Sequence, residues 1–345
     1  MDRLALLTLA TVCVCTILAA KAGGGTLLVW PVDPHVKIFG DAEPPRDIVK
    51  DTGEEIVRAA PGFTETVSLR AARNEYECGQ IAVRATRQIT GLRVELSPLT
   101  RKDAKGTIGG EHLTWSFVGF IPLKRNTRDA DTLRVRAAPC RVPDPLLEQR
   151  TLDVEANSTQ PVWLTVRVPR DAEPGTYQGT VAVVAGAERV AVPIVLTVYP
   201  FALPDERHLL ATNWFSTGRI ATAHKVKAWS DAFWTLLERY ARDMAEHRQN
   251  VFVTPWTLID VTREPDGKLS FDYGRFDRYV ETFLEAGVDG GIELRHVGHF
   301  GEGGWSSTEI VLRTVAATDR KTGQRVRLGP EEGLAPLLAA LQRHL

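Results

Sequence analysis

Apolar and polar residues alternate with period two through the first part of the chain. Between about Thr26 and Val198, short runs with this period are separated by turns rich in proline, glycine and aspartate. Alternation puts the apolar side chains on one face of a strand, and frequent turn signals without a helical pattern are typical of an antiparallel β-sandwich. The clearest predicted strands are 64–70, 80–84, 91–96, 163–168, 179–184 and 190–198.

After Pro204 the apolar period becomes helical. Helices are predicted at 226–250, from about Tyr273 to Ala286, and from Pro330 onwards, whereas short apolar strands are predicted at 209–215, 251–255 and 291–296. Strand and helix in alternation indicate parallel βαβ units. These units could begin an open Rossmann-like sheet or a (β/α)8 barrel. The absence of a glycine-rich phosphate turn after the first strand favours the barrel.

The predicted barrel is incomplete. A (β/α)8 barrel needs about 250 residues, and three βα units use all of residues 205–345. We therefore expect a multidomain chain, with an all-β sandwich at 23–204 followed by the N-terminal part of a truncated TIM barrel at 205–345. A small three-layer α/β domain is the alternative for the second region.

The N-terminus resembles an export signal. Arg3 precedes an unbroken run of apolar or small residues from Leu4 to Ala20, and the next residues fit a small-residue cleavage site at Ala22. This pattern predicts a signal peptide at 1–22 and a secreted or periplasmic protein without membrane contact after cleavage. A signal anchor is the alternative.

Charge and motif content narrow the function. Forty-two Lys and Arg against 43 Asp and Glu leave a formal net charge of −1, so nucleic acid is not an expected partner. His296 and His299 have H-x-x-H spacing, but no further ligand completes a set, and we expect no metal. No cofactor motif occurs. Cys78 and Cys140 would remain after signal cleavage; they could pair in an oxidising compartment, although a small buried hydrophobe is favoured for Cys78.

In a barrel, functional residues lie at the C-terminal ends of the strands. There, aromatic faces could stack on a pyranose ring while polar side chains bind its hydroxyls, so we predict a glycan as the partner. Core or structural roles are the alternatives for the tryptophans and histidines. The predicted substrate-binding residues are Asn213, Trp214, Trp256, Arg295, His296 and His299.

Two further features lie near these strand ends. Glu293 and Asp260 could be paired carboxylates for acid–base catalysis, but structural or solvated roles are favoured because only their residue type supports the pairing. The runs 310–315 and 325–328 flank Lys321-Thr322-Gly323 and predict a β-hairpin. The hairpin could overhang the substrate side as a lid or be an insertion without a role.

Four segments resemble proteins related to glycoside hydrolase family 123. The most specific is the run W-x-x-V-x-V-P-x-D-A-x-P-G-x-Y-x-G, which is present from Trp163 to Gly179. The other segments are 67–77 followed by Gln80, 142–147, and 201–204.

The resemblance implies a retaining exo-β-N-acetylgalactosaminidase or a related glycosidase that uses substrate-assisted catalysis. In that family an Asp-Glu pair ends the fourth barrel strand, where the Asp orients the substrate's acetamide and the Glu is the general acid. After Pro204 this dipeptide occurs only as Asp205-Glu206, in the linker, so no catalytic residue is carried over. We expect the pair beyond residue 345 and an inactive fragment. A related group is known only as a domain of unknown function, and a non-catalytic carbohydrate-binding or cell-surface structural protein is the alternative.

Overall fold

The structure, a computed structural model, describes residues 26–45, 47–51, 54–58, 65–103, 105–126 and 134–345. The predicted signal peptide at 1–22 lies outside these residues. The chain divides into two compact units, Met1–Leu203 and Pro204–Leu345. In the described part, no helix has both the length and the apolar character needed to cross a membrane.

The first unit is built almost entirely of β-strands. The strands are β1 (Leu27–Val32), β2 (Asp47–Asp51), β3 (Glu54–Arg58), β4 (Val67–Arg73), β5 (Glu75–Ala85), β6 (Ile89–Leu96), β7 (Leu99–Arg101), β8 (Thr107–Ile108), β9 (Leu113–Leu123), β10 (Cys140–Leu146), β11 (Leu152–Val154), β12 (Thr159–Val168), β13 (Gly175–Ala185) and β14 (Glu188–Ala202). One sheet has the order β1-β5-β12-β9-β10, and the other has the order β11-β6-β13-β14-β4. In the second sheet β7 also pairs with β13, and β8 pairs with β7.

Alternate residues of both sheets fill one apolar core. In β12 the buried positions include Val162, Leu164 and Val166, and in β14 they include Val192 and Ile194. This burial confirms the period-two pattern as the signal for strands with one face in the core. The mostly β character predicted for this region is therefore confirmed.

The turn before β13 shows why its residue types matter. Gly175 has φ +142°, a conformation that side chains rarely adopt. Tyr177 is almost fully buried, and its hydroxyl donates a hydrogen bond of 2.8 Å to the carbonyl oxygen of Glu173. A side chain at Gly179 would meet the backbone oxygen of Pro98 at 2.9 Å, so the neighbouring segment can approach only because this residue is glycine.

The structure corrects the expectation of a purely antiparallel sandwich and shows the state of its two cysteines. Strand β14 pairs with β4 in parallel, with Ile194 opposite Val67, so the sandwich is not purely antiparallel. The two strands are far apart in sequence, and no hairpin fixes their relative direction. Cys78 and Cys140 are both free thiols and half-buried, and burial raises the pKa of the Cys78 thiol.

The second unit combines helices with several small sheets. Its elements are α1 (Thr217–Ala223), α2 (Asp231–Glu246), β15 (Val251–Thr254), β16 (Asp260–Arg263), β17 (Leu269–Asp272), α3 (Gly274–Glu285), β18 (Gly291–Leu294), β19 (Gly298–Phe300), β20 (Ile310–Leu312), β21 (Val315–Asp319), β22 (Arg325–Leu328) and α4 (Ala335–His344). Strands β15 and β18 pair in parallel, and α3 lies between them in sequence. A separate sheet has the order β17-β16-β21-β22.

The helices bury the apolar stripes that the sequence predicts, although their ends differ. Helix α2 begins later than predicted because Ser230 is its N-cap and accepts a hydrogen bond from the backbone N–H of Phe233. Helix α3 ends before Gly287, whose φ is +92°. The segment Pro330–Leu334 forms a π-helical turn before α4 begins.

The strand predicted at 209–215 does not form. Its backbone makes one isolated parallel bridge, between Thr212 and Val251, and the N–H of Ala211 donates to the side chain of Asn250 at 2.8 Å. Leu209 and Leu210 are 82% and 67% exposed. Because these apolar side chains are not buried, the segment forms no further strand pairing beyond the single bridge. Only two of the three predicted parallel strands therefore pair over several residues.

The predicted hairpin forms one strand later than expected. Strands β21 and β22 pair around the turn that holds Gly323, whereas β20 pairs with β19. The hairpin is part of the four-stranded sheet, where Val315 and Leu328 enter the core. The hairpin is therefore packed into the unit rather than loose.

Candidate functional site

A small cavity lies at the C-terminal ends of the parallel strands β15 and β18. Its volume is about 200 Å³, and we call it the inner cavity. Carboxyl ends of parallel strands are the common position of ligand sites in α/β folds. The residues that line the inner cavity are Trp214, Phe215, Thr217, Val253, Pro255, Tyr279, Glu293, Arg295, His296 and Arg313.

A larger open depression of about 870 Å³ adjoins this cavity, and we call it the outer groove. Four residues line both spaces, which makes them continuous: Trp214, Arg295, His296 and Arg313. The remaining lining residues of the outer groove are Leu294, Val297, Gly298, His299, Phe300, Gly304, Trp305, Ile310 and Leu338.

Trp214, Glu293 and His296 form a compact group at the wall of the inner cavity. The indole N–H of Trp214 donates to Oε2 of Glu293 at 3.1 Å, and the hydroxyl of Thr212 donates to the same oxygen at 3.4 Å. The His296 ring lies edge-on to Trp214, with ring centroids 4.8 Å apart and planes at 77°. The hydrogen bond and the ring contact together fix the plane of the indole.

Tyr279 contributes to the inner cavity from helix α3. Its hydroxyl donates a hydrogen bond of 3.0 Å to the carbonyl oxygen of Val253 in β15, and its side chain is almost fully buried. Burial raises the pKa of Tyr279 well above its usual range, because the charged phenolate would be poorly solvated. The residue is therefore a neutral structural donor that ties α3 to the end of β15.

Two guanidinium groups line the cavity together with Glu293. Arg295 follows β18 directly, and Arg313 follows β20. Neither guanidinium forms an ion pair with Glu293 in the described part of the chain. The cavity thus offers a ligand both cationic hydrogen-bond donors and an anionic acceptor.

Three predicted site residues meet at the cavity. Trp214, Arg295 and His296 line both the inner cavity and the outer groove. His299 lines only the outer groove, and its Nδ1 lies 2.8 Å from the carbonyl oxygen of Phe300. Across the described residues, no group of three or more His, Cys, Asp or Glu side chains is placed to hold a metal ion.

The other two predicted site residues lie elsewhere. The side-chain amide of Asn213 donates to Oε1 of Gln249 at 3.1 Å, and Asn213 does not line either space. Trp256 is only 4% exposed and packs in the core of the unit, so it cannot present a ring face to a sugar. A core position was one of the two alternatives that the sequence left open for Trp256, and the structure shows it. Its indole N–H is buried and has no hydrogen-bond partner among the residues that the structure describes.

Two charged residues that line the inner cavity, Glu293 and Arg313, were not among the predicted site residues. Glu293 was favoured as structural or solvated, yet its carboxylate lies at the cavity wall; the available signal was an acid between Ile292 and Leu294 in an apolar strand. Nothing in the sequence marked Arg313 as a site residue except its position after an apolar run. Asp260 lies in β16, where it pairs with Arg275 at 3.3 Å, and it does not line the cavity with Glu293.

Comparisons with known proteins agree with this architecture. The family model described as the glycoside hydrolase 123 N-terminal domain matches residues 55–185, and the model for the glycoside hydrolase 123 catalytic domain matches residues 214–345. No curated protein matches the chain.

Among solved structures, the chain is similar to a family 123 glycoside hydrolase from Clostridium perfringens. The TM-score is 0.64 at 14% identity, and the match covers 81% of this chain and 52% of that one. The chain therefore spans about half the length of that protein, and the likeness shows the fold. The CooA pilin subunit from enterotoxigenic Escherichia coli is 18% identical over 47% of this chain and 100% of its own. Its TM-score of 0.23 is too low to indicate a shared fold.

The two family models follow one another along the chain, and one lies in each unit. The chain belongs to the glycoside hydrolase 123 family.

Proposed function

We propose that this chain supplies the glycan-binding part of a secreted glycoside hydrolase that acts on a terminal N-acetylhexosamine. The observation that carries the proposal is the inner cavity, where the exposed indole of Trp214 stands beside a carboxylate and two guanidinium groups. An aromatic face with hydrogen-bonding groups at its edge matches a pyranose, which has apolar C–H faces and a polar rim.

The sizes of the two spaces suit two different parts of one glycan. Sites for drug-sized ligands usually measure about 300–1,000 Å³, and the inner cavity, at about 200 Å³, lies below that range. It suits one sugar ring. The outer groove, at about 870 Å³, is continuous with it and holds Phe300 and Trp305, with ring centroids 5.0 Å apart. The rest of the glycan would lie there.

In the family's substrate-assisted mechanism, a group of the substrate itself is the nucleophile. The acetamido oxygen of the substrate attacks the anomeric carbon, an Asp orients that amide, and the adjacent Glu protonates the leaving oxygen. No such pair occurs at a strand end in residues 207–345. Under this proposal, the inner cavity binds and orients the sugar, and residues beyond 345 supply the carboxylates.

The proposed complete fold is a (β/α)8 barrel that residues 205–345 begin. The parallel pair β15–β18, with α3 between the two strands in sequence, is one βα unit of such a barrel. The chain's coverage of 52% of the C. perfringens structure leaves room for the remaining units. Secretion is proposed from the apolar N-terminal run alone.

The family 123 glycoside hydrolase from C. perfringens hydrolyses glycolipid glycans, and such glycans are the first substrate class to test. The 345-residue chain is titrated with N-acetylgalactosamine, N-acetylglucosamine, galactose and glucose by isothermal calorimetry. Release of nitrophenol from 4-nitrophenyl N-acetyl-β-galactosaminide is measured in parallel.

We expect binding of an N-acetylhexosamine in preference to the plain hexoses, loss of that binding in Trp214→Ala, and no hydrolysis by this chain. A longer chain with a strand-end Asp-Glu pair should hydrolyse the glycoside. Binding without hydrolysis by the longer chain would favour the non-catalytic alternative, and absence of any sugar binding would favour a structural role.

A further inference from the structure

Glu293 is an acidic residue in a strand whose neighbours are Ile292 and Leu294, and it is only half-buried. Both hydrogen bonds found for its carboxylate involve one oxygen, Oε2, which accepts from the Trp214 indole and the Thr212 hydroxyl. No partner of Oε1 is found among the described residues. A carboxylate can accept about four hydrogen bonds, so roughly half of its capacity is available to a ligand.

The same hydrogen bond controls the orientation of Trp214. The indole is 62% exposed, and without a fixed partner its ring could adopt several rotamers. The hydrogen bond to Glu293 and the edge contact with His296 hold the ring in one orientation at the cavity wall. Glu293 is therefore placed both to bind a ligand and to hold the surface on which the ligand would stack.

We infer that Glu293 is the specificity-determining residue of the inner cavity: its Oε1 accepts hydrogen bonds from the hydroxyls of the terminal sugar, and its Oε2 fixes the Trp214 platform. The inference rests on the proposed function, because it assigns the hydroxyl-recognising group of that same site. The chemical class selected is a neutral pyranose with free hydroxyls on the edge that faces Glu293.

The chemistry of this group also determines which sugars bind weakly. A carboxylate accepts but does not donate hydrogen bonds, so it binds hydroxyl donors at the edge that it faces. A sugar that lacks the bound hydroxyl would leave Oε1 without a partner in the complex. Discrimination by a charged hydrogen bond is about 10- to 100-fold in affinity.

The test uses the 345-residue chain and calorimetric titration with N-acetylgalactosamine, galactose and the 3-deoxy, 4-deoxy and 6-deoxy forms of N-acetylgalactosamine. Glu293→Gln keeps the shape but weakens the acceptor, and Trp214→Phe keeps a ring but removes the N–H donor. Glu285→Gln, on the exposed surface of α3, is the control for loss of one negative charge. Circular dichroism checks that each variant folds.

We expect Glu293→Gln to lose about 10- to 100-fold in affinity for the parent sugar. One deoxy sugar should bind wild type and Glu293→Gln equally weakly, because the hydroxyl that contacts Glu293 is already absent. Trp214→Phe should lose less than Glu293→Gln, and Glu285→Gln should bind like wild type.

The outcomes separate the two proposals. Binding of N-acetylgalactosamine that is unchanged in Glu293→Gln overturns the role of Glu293 and leaves the proposed function intact. Binding of galactose alone, with loss in Glu293→Gln, supports the role of Glu293 and overturns the amino-sugar substrate. Absence of binding to every sugar in the wild-type chain overturns both.

Discussion

Gly179 gives the sharpest stability prediction, because three atoms surround the position of its missing side chain. A Cβ atom there would lie 2.6 Å from Cδ2 of Leu99, 2.9 Å from the backbone oxygen of Pro98 and 2.9 Å from Oγ of Ser97. A rotamer change could move Leu99, but the Pro98 oxygen can move only with the backbone. Gly179→Ala must therefore push the segment between β6 and β7 away from β13.

That movement has a calculable cost. Overpacking typically costs about 1–3 kcal/mol, and the displaced segment includes Ser97, whose Oγ accepts a 2.9 Å hydrogen bond from the Thr180 N–H. Losing this hydrogen bond adds about 1 kcal/mol. The reduced entropy of the unfolded chain offsets about 0.4–1 kcal/mol. We expect a net loss of about 2 kcal/mol, which lowers the Tm of a unit of this size by about 4–8 °C.

The measurement is differential scanning calorimetry of wild type, Gly179→Ala and Gly40→Ala. Gly40 is the matched control in the same unit, because a Cβ there would meet only the Phe120 ring at 3.9 Å, an ordinary contact. Gly40→Ala should melt within about 2 °C of wild type. If Gly179→Ala also melts with wild type, the close approach between β13 and its neighbour is not as the structure has it.

Three further predictions concern the second unit. Phe283 is fully buried and stacks on Phe252 at 4.6 Å, so Phe283→Ala should cost about 3–5 kcal/mol in chemical denaturation; a loss below 1 kcal/mol would contradict this packing. The Arg263 guanidinium holds the pKa of Asp319 below its usual range, so its stabilisation is present above the unfolded pKa of about 4 and is lost as pH falls through the lower folded value. Asp319→Asn should be less stable at pH 7 and should vary less with pH in acid denaturation, and parallel acid profiles of the two proteins would refute the assignment. Trp305, at 88% exposed in the outer groove, should affect only longer glycans: in calorimetry, Trp305→Ala should bind a monosaccharide like wild type and an oligosaccharide several-fold more weakly, and equal loss for both would refute the division of the ligand.

The local pattern of the sequence was sufficient for most strands and helices. Period-two burial in β12 and β14 and the apolar stripe of α2 follow directly from the alternation and helical spacing of the chain. Turn residues were equally readable, because Gly175 and Gly287 have positive φ, which glycine adopts most easily. The ends of helices were harder to predict, because a single N-cap residue such as Ser230 determines where α2 begins.

The strand at 209–215 and the hairpin show where local pattern fails. Leu209 and Leu210 are apolar but exposed, and their segment gains only one bridge. The run 310–315 reads as one strand, yet it divides between β20 and β21, which pair with different partners. A strand exists only where another backbone is available to pair with it, and that partner lies elsewhere in the sequence.

The sequence by itself determined the order of a β-rich unit and a helix-containing unit, the family, and the strand end that Arg295 and His296 follow. Only the tertiary structure decided which of the candidate residues meet. It buried Trp256 in the core, left Asn213 outside the cavity, and brought Glu293 to Trp214 across 79 residues of chain. The physical reason is that periodicity reports the face on which a side chain lies, whereas a site depends on hydrogen bonds between segments that are distant in the sequence.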